Sequence, residues 1–298
     1  MNAVVDLLAG PWEYDFWRRA LLVALLSGLV CGVVGTHVVL RGMAFIGDAV
    51  AHAVFPGIAT AFVLGSNLVI GGAVAGVVTA LLIAVVAQNR RLKEDSVIGI
   101  FFAAAFGLGI VILSAAPGYG GSLESFLFGS ILGISDGDVV SVAVIGAILL
   151  LATGVLNGRL VAATLDREQA RAVGLPVFWL DLALYVMVTL AIVISLQAVG
   201  NVLVLALLVT PAAAARLLTD RLGVMMLLAP VIGAGGSVLG LYLSYAFDLA
   251  AGGLIVLSLT GIFVLCWLFA PRHGLLRRTR RSQSTSDGLH GALVEVKS

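Results

Sequence analysis

The sequence has little charge and almost no cysteine. Of its 298 residues only 11% are charged, whereas 61% are hydrophobic, and the mean hydropathy is +1.14. A soluble domain carries about 25% charged residues, so this composition excludes an ordinary soluble protein and indicates a polytopic membrane protein. The two cysteines, Cys31 and Cys266, lie inside apolar runs. Neither a disulfide framework nor a cysteine zinc site is therefore expected.

Several motifs of enzymes and targeting signals are also missing. The chain has no Gly-x-x-x-x-Gly-Lys-Ser/Thr and no His-Glu-x-x-His, and two of its four histidines, His273 and His290, lie near the C-terminus. We expect no catalytic zinc site and no ATP-hydrolysing site, so any activity that consumes energy must draw it from another chain or from a gradient. A net charge of +1 gives no sign of a nucleic-acid partner. Because no basic residue precedes Arg18 and Arg19, a cleavable signal peptide is not expected.

Long apolar runs dominate what the chain does contain. A run of about 17–25 apolar residues can cross a bilayer as a helix, and none of these runs alternates with the period of two that marks a strand. We predict an all-α integral membrane protein, a polytopic bundle of about nine (eight to nine) transmembrane helices. The candidate spans are 20–40, 43–64, 68–88, 96–116, 138–157, 178–199, 201–217, 224–246 and 252–270.

Basic residues fall in alternate connections, which predicts the orientation of the spans. The basic set comprises the connections at 89–95, 158–177 and 216–223 and the segment from Arg272. The connections between them hold no lysine or arginine, so we place the basic set in the cytoplasm and the N-terminus outside. Arg18 and Arg19 then lie on the outer side, against the rule. They leave open an eight-span arrangement with one re-entrant segment.

Three regions follow from this pattern. Residues 1–16, which mix aromatic and acidic residues, are expected to lie at the membrane interface. Residues 17–271 form the transmembrane domain, in which the long connection at 117–137 is expected to hold a short outer helix or a re-entrant hairpin. Residues 272–298 form a basic, serine-rich tail. We expect this tail to be disordered in the cytoplasm and able to touch anionic lipid.

An acid and a histidine interrupt the second apolar run. Asp48 and His52 are four residues apart, so a helix would place them on one face. Ionisable side chains at membrane depth are costly, and they usually face a bundle interior, a partner or a water-filled path. Gly47 and the Phe55-Pro56-Gly57 run are candidate breaks in the helix on either side of the pair.

The pair suits a metal ion. A carboxylate oxygen and an imidazole nitrogen together favour Zn²⁺, Mn²⁺ or Fe²⁺. One chain supplies only two ligands, but a second copy related by a twofold axis would complete a set of two Asp48 and two His52 side chains. The alternative is a hydrogen bond between Asp48 and His52 that only satisfies two buried polar groups.

A short cytoplasmic helix is predicted near residues 163–175, between the fifth and sixth spans. Asp166 is a suitable N-cap, Gly174 a suitable C′ residue, and Pro176 prevents continuation. A helix held tightly between two spans can transmit a push from a cytoplasmic partner into both. A helix without any partner is the alternative, since many loops contain one.

Three stretches resemble the permease subunits of bacterial zinc/manganese/iron-type ABC importers. They are Gly32 to Gly57, Asp166 to Pro176 and Leu196 to Arg216, in this order, and the resemblance covers about residues 16–270. It implies a type II ABC importer-like permease without enzymatic activity. It also implies a multi-pass location in the bacterial inner, cytoplasmic membrane.

The resemblance further implies partners and roles. It implies a homodimer of the permease, separate cytoplasmic ATP-binding subunits and an extracytoplasmic solute-binding protein that delivers the metal. By the same analogy Asp48 and His52 contact the transported Zn²⁺ or Mn²⁺, and no cofactor is bound permanently. The residues that would couple to the ATPase are Asp166, Arg167, Glu168, Ala170, Arg171 and Gly174.

Other polar and proline residues are candidates for the pathway or for helix packing. His37 lies four residues before Arg41-Gly42, which we expect to be a cytoplasmic turn; it is a further candidate ligand, with a snorkelling or hydrogen-bonded histidine as the alternative. Asp181 is expected to hold the cytoplasmic loop by hydrogen bonds. Gln197 and Asn201 would either line an outer vestibule or join helices. The pathway or packing candidates are Pro56, Asp181, Gln197, Asn201 and Pro211.

Two other transporter classes stay open at this stage. A permease for a siderophore or a cobalamin-like chelate would need a roomier path and no ionic pair at its centre. An ion-coupled secondary transporter usually shows inverted repeats, and the sequence has no convincing internal repeat. The sequence does not distinguish zinc from manganese or iron as the transported ion.

Overall fold

Eleven helices make up the part of the chain that the structure, a computed structural model, describes. That part comprises residues 12–43, 46–88, 94–115, 133–199 and 201–270, and it contains no strand. The helices are α1 Asp15–Leu40, α2 Ile46–Ala53, α3 Phe55–Val63, α4 Leu68–Val86, α5 Glu94–Ser114, α6 Asp136–Leu165, α7 Arg167–Ala172, α8 Val177–Val199, α9 Asn201–Leu218, α10 Leu222–Phe247 and α11 Ala251–Phe269. The predicted tail at 272–298 and most of the segments 1–16 and 117–137 lie outside the described residues.

Seven segments of the described chain are long and apolar enough to cross a membrane. They are α1, α2 together with α3, α4, α6, α8, α10 and α11. Two shorter apolar helices, Ser96–Ile112 and Val204–Leu218, occupy the positions of the other predicted spans. The all-helical membrane fold is therefore confirmed. The count of eight or nine spans is not confirmed, because seven segments of the described residues meet the length and composition that a span needs.

Helix α1 lies at the centre of the bundle and packs against α6, α8, α9 and α10. Small residues allow the backbones to approach closely. A Cβ atom on Gly28 would lie 2.6 Å from the carbonyl oxygen of Gly233 in α10, and one on Gly35 would lie 1.8 Å from that of Leu208 in α9. The glycines therefore set the distances between the central helices.

The second predicted span, 43–64, is two helices rather than one. Helix α2 ends at Ala53, Val54 forms a turn, and α3 begins at Phe55 with Pro56 in its first turn. Proline is tolerated there because the N–H groups of the first turn have no hydrogen-bond partner within the helix, so the N–H that proline lacks is not needed. The break thus falls next to the predicted Phe55-Pro56-Gly57 position and leaves α2 as a separate short helix.

The two arginines that oppose the charge rule, Arg18 and Arg19, are both paired with acids. Arg18 forms an ion pair with Asp15. The Nε atom of Arg19 lies 2.8 Å from Oδ1 of Asp136 at the start of α6, and its guanidinium donates to the carbonyl of Ile134 at 3.1 Å. Because the acids offset both positive charges, Arg18 and Arg19 are weaker evidence for the orientation of the spans in the membrane than an unpaired basic loop is.

Candidate metal site

Helix α2 carries both predicted ligands and is enclosed by other helices. It packs against α4, α5, α8 and α9. A Cβ atom on Gly47 would lie 2.9 Å from a methyl carbon of Leu205 in α9, so α2 and α9 are in close contact. Asp48 and His52 lie in the first and last turns of α2. The structure therefore brings the pair together on one short helix inside the bundle.

The His52 ring is held by the backbone of its own helix. Its Nδ1 atom lies 3.1 Å from the carbonyl oxygen of Asp48 and 3.7 Å from the Asp48 carboxylate. A carbonyl only accepts hydrogen bonds, so Nδ1 is the donor and Nε2 keeps its lone pair. Nε2 has no hydrogen-bond partner among the residues that the structure describes. This tautomer is the one in which histidine can bind a metal through Nε2.

The predicted alternative, a hydrogen bond between the two side chains, fits this geometry less well. A separation of 3.7 Å between Nδ1 and Oδ1 exceeds the range of a hydrogen bond. The Asp48 side chain is 44% exposed, whereas that of His52 is 17% exposed. Carboxylate oxygens of Asp48 are therefore accessible from the open side of α2.

Aromatic rings of α5 surround the imidazole. Phe102 and Phe106 meet the His52 ring edge to face, with ring centroids at 5.0 and 5.1 Å. Phe106 also packs against Phe55 at 5.7 Å, and a Cβ atom on Gly109 would lie 2.3 Å from the Phe55 ring. These contacts hold the imidazole in one place. The sequence did not suggest them, because α5 lies some fifty residues away along the chain.

One chain does not complete a metal site by itself. Within the described ranges, no group of three or more His, Cys, Asp or Glu side chains is close enough to hold a metal ion. The pair Asp48 and His52 offers two protein ligands. Completion of the site by a second copy stays a prediction.

His37 lies apart, in the last turn of α1. It is 1% exposed, and neither ring nitrogen has a hydrogen-bond partner in the described part of the chain. Arg41 follows one helical turn later, and its positive charge disfavours a cation at this position. A ligand role for His37 stays a prediction that this charge opposes.

The short helix that the sequence predicts near residues 163–175 begins at the expected N-cap. Asp166 is its N-cap, and Oδ1 of Asp166 accepts hydrogen bonds from the N–H groups of Glu168 and Gln169, both at 2.9 Å. These contacts satisfy two of the backbone donors that the first turn of a helix leaves free. Helix α7 then runs from Arg167 to Ala172.

The end of α7 is a Schellman motif. Gly174 has a φ of +81°, which glycine adopts without strain. Its N–H donates to the carbonyl of Arg171, and the N–H of Leu175 donates to that of Ala170, both at 3.0 Å. Ala170 is 2% exposed and anchors the helix, while the other α7 residues are exposed.

An exposed surface surrounds α7. The apolar side chains of Leu165 and Val173, on either side of it, are 82% and 70% exposed. Exposed charged residues, Arg167, Glu168 and Arg171, lie between them. Contact of this surface with an ATPase stays a prediction, and the mixture of apolar and charged groups suits one.

Asp181 makes two contacts. The sequence predicts the contact with the loop but not the contact with Arg41. The Oδ2 atom of Asp181 accepts a hydrogen bond from Nη2 of Arg167. Its Oδ1 atom accepts one from Nη1 of Arg41 at 2.5 Å, and Nε of Arg41 donates to Oγ1 of Thr164 at 3.1 Å. Removing one charge of a buried pair is costly, so an acid inside an apolar run is the one sequence signal that could have led to Arg41.

The remaining candidates lie in the helices of the bundle. Pro56 is buried in the first turn of α3, and Pro211 is buried within α9. Pro211 lies close to Gly233 of α10, on which a Cβ atom would be 3.4 Å from its ring. Gln197 falls in the last turn of α8 and Asn201 begins α9, but their side chains lie outside the described residues. Their vestibule role stays a prediction.

Comparison with protein families places these helices in a known context. The model of the ABC 3 transport family matches residues 13–270. The manganese transport system membrane protein MntC of Halalkalibacterium halodurans is 42% identical over 275 residues, which cover 92% of this chain and 94% of that protein. The chelated iron transport system membrane protein YfeC of Yersinia pestis is 36% identical over 280 residues, which cover 94% of this chain and 95% of that protein.

A solved structure has the same arrangement. PsaBC of Streptococcus pneumoniae, determined in complex with a Fab, superimposes with a TM-score of 0.82 at 36% sequence identity. The match covers 93% of this chain and 99% of that one. The similarity in fold and sequence therefore extends over both the α2 pair and the α7 surface.

Proposed function

The chain is a permease of the ABC 3 transport family, and from this premise we propose that it moves a divalent transition-metal ion, with Mn²⁺ preferred, into the cytoplasm. The observation that carries the proposal is the Asp48 and His52 pair on α2. A free imidazole Nε2 and an accessible carboxylate, 17% and 44% exposed as side chains, are suitable ligands for such an ion.

The identity of the ion follows from ligand chemistry and from the relatives. Carboxylate oxygen suits Mn²⁺, and imidazole also binds iron and zinc. The relatives described above are named for manganese and for chelated iron, which favours Mn²⁺ or Fe²⁺ over Zn²⁺. A transporter must also release its ion, so we expect the ion to bind weakly or transiently at this site.

Partner chains complete the proposed importer. In a homodimer, two copies of Asp48 and His52 supply four ligands around a twofold axis. ATP-hydrolysing subunits dock on the α7 surface of each copy from the cytoplasm, and a solute-binding protein delivers the ion from outside. The complex works in the inner membrane of a bacterium, where apolar side chains such as Leu151 and Val155, 70% and 81% exposed, face lipid.

A chelate is the second candidate cargo, because one relative is named for chelated iron. The setting of His52 argues against it. Its imidazole contacts Phe102 and Phe106 at 5.0 and 5.1 Å between ring centroids and lies beside a carboxylate, an ionic pair that suits a bare metal ion rather than an organic chelate.

Uptake of radioactive Mn²⁺ into cells that lack other manganese importers tests the proposal. Asp48→Asn and His52→Gln should each reduce the initial rate at least about tenfold, since loss of a group that only supports a metal ligand already costs on the order of 10–100-fold. Asp15→Asn removes an exposed carboxylate, and His273→Gln removes a histidine outside the described residues. Both controls should transport normally.

The level of protein in the membrane must be equal in all variants. Normal uptake by both Asp48→Asn and His52→Gln would contradict the proposal. Competition by unlabelled Mn²⁺, Fe²⁺, Zn²⁺ and a ferric chelate identifies the cargo. We expect Mn²⁺ or Fe²⁺ to compete and the chelate not to compete.

A further inference from the structure

One buried carboxylate joins two arginines from different parts of the chain. The Asp181 side chain is 9% exposed and that of Arg41 is 8% exposed, whereas that of Arg167 is 44% exposed. Arg41 binds one carboxylate oxygen at 2.5 Å, and Arg167 binds the other. Asp181 is therefore the common partner of the turn after α1 and of the first residue of α7.

This arrangement is not explained by stability alone. Removing two charges from water is costly, and well-packed apolar residues can often replace a buried ion pair without loss of stability. Apolar residues cannot reproduce the geometric specificity of charged hydrogen bonds that connect particular segments of the chain. Here the link joins α7, whose surface is exposed, to the turn that follows α1.

Backbone hydrogen bonds connect the turn at Arg41 to the end of α1 and to the start of α2. Arg41 is the C-cap of α1, and its N–H donates to the carbonyl of His37 at 3.2 Å. The N–H of Met43 donates to the carbonyl of Val38 at 3.2 Å, and the N–H of Ile46, the first residue of α2, donates to the carbonyl of Met43 at 3.1 Å. A displacement of Arg41 is therefore passed to the start of α2, whose first turn contains Asp48.

The network has a second arrangement available. Nη2 of Arg41 is buried and has no hydrogen-bond partner among the described residues, and Oδ2 of Asp181 is held by Arg167. If Arg167 withdraws with α7, Oδ2 becomes free. Arg41 can then bind Asp181 through both amino groups, the bidentate geometry that guanidinium favours.

We propose that Arg167, Asp181 and Arg41 form a relay that couples movement of α7 to the position of α2. In one state Asp181 is shared between the two arginines. In the other, Arg167 has moved away and Arg41 holds the carboxylate alone, which shifts the start of α2 and with it the Asp48 and His52 pair. This inference rests on the proposed function, and it makes all three residues positioning residues that do not touch the ion.

The test uses the full complex of permease, ATPase subunits and solute-binding protein, reconstituted in liposomes with Mn²⁺. The measured quantity is the number of ions imported per ATP hydrolysed. Arg167→Gln and Asp181→Asn should each lower this ratio at least about fivefold, and the double variant should lower it no further, because the two residues act as one unit. All variants should retain the ATPase subunits during purification.

A matched control tests whether any interhelical ion pair has the same effect. Asp136→Asn breaks the ion pair between Arg19, at the other end of α1, and Asp136 of α6. The Nε and Oδ1 atoms of this pair are 2.8 Å apart. Asp136→Asn should leave the ratio of ions to ATP unchanged. Arg167→Gln leaves the buried Arg41 and Asp181 pair intact, so it tests the relay even if Asp181→Asn does not fold.

Several results would overturn the relay. The first two are a wild-type number of ions per ATP in Arg167→Gln and a double variant whose loss is the product of the two single losses. The others are loss of the ATPase subunits from either single variant and an equal fall in ions per ATP in Asp136→Asn. If the wild-type complex imports Mn²⁺ while the relay variants are normal, only the relay is wrong. If the wild-type complex imports no metal, the proposed function is wrong.

Discussion

The position of His52 shows how the fold holds one side chain of the proposed site. Its Nδ1 atom is occupied by the Asp48 carbonyl at 3.1 Å, so the free nitrogen is Nε2. The spacing of Asp48 and His52 predicts that they share a face, because that depends only on helical periodicity. The tautomer and the aromatic enclosure depend on tertiary contacts, and periodicity contains no information about them.

The aromatic enclosure leads to a prediction at the residue scale. Phe106→Leu removes ring contacts to His52, Phe102 and Phe55, so the imidazole should become more mobile and bind the ion less well. We expect the KM for Mn²⁺ uptake to rise about three- to tenfold, a cost of roughly 1 kcal/mol, which is the size of an aromatic pair contribution.

Phe269→Leu is the matched control, because Phe269 ends α11 and is 68% exposed. Its KM should equal that of the wild type. An unchanged KM in Phe106→Leu, at normal protein levels, would show that the rings do not position His52.

Buried charge was less predictable than spacing. Asp181 was expected to bind the cytoplasmic loop, and it does so through Arg167. Its more deeply buried partner, Arg41, was expected only to form part of a cytoplasmic turn. The two residues are 140 positions apart, and nothing local in the sequence relates them.

At the scale of the elements, α7 was the most predictable part of the chain. Its N-cap at Asp166 and its Schellman end at Gly174 are both local features, and local features can be read from a few neighbouring residues. The break at Val54 was only approximately placed. Pro56 indicates a helix start, but the exact turn depends on how α2 and α3 pack against α4 and α5.

Glycine packing around α1 supplies the prediction at this scale. Gly35→Ala would bring a Cβ atom to 1.8 Å from the Leu208 carbonyl oxygen, so α1 and α9 must separate. We expect a loss of about 3 kcal/mol in stability, near the upper end for overpacking, measured as a lower midpoint of thermal unfolding in detergent.

Gly154→Ala is its counterpart in α6, where an added Cβ atom meets nothing within 4 Å. Its midpoint should be unchanged or slightly higher, since alanine favours a helix by about 0.5–1 kcal/mol relative to glycine. Equal midpoints for the two variants would refute the role assigned to Gly35.

At the scale of the whole molecule, composition and run length were enough to predict an all-helical membrane protein. The number of spans was not: the apolar runs predict eight or nine, whereas seven segments of the described residues are long and apolar enough to cross a membrane. Paired charges also weaken the orientation rule, as Arg18 and Arg19 illustrate.

The central claim is that Asp48 and His52 from two copies bind the transported ion. Pulsed electron paramagnetic resonance of Mn²⁺ bound to the purified permease in lipid nanodiscs tests it directly, because the spectrum reports nitrogen ligands. We predict a spectrum with imidazole nitrogen coupling at a stoichiometry of about one ion per pair of chains. That coupling should disappear in His52→Gln, and the bound Mn²⁺ should be lost in Asp48→Asn. An undiminished nitrogen coupling in His52→Gln, or full Mn²⁺ binding in Asp48→Asn, would contradict the account.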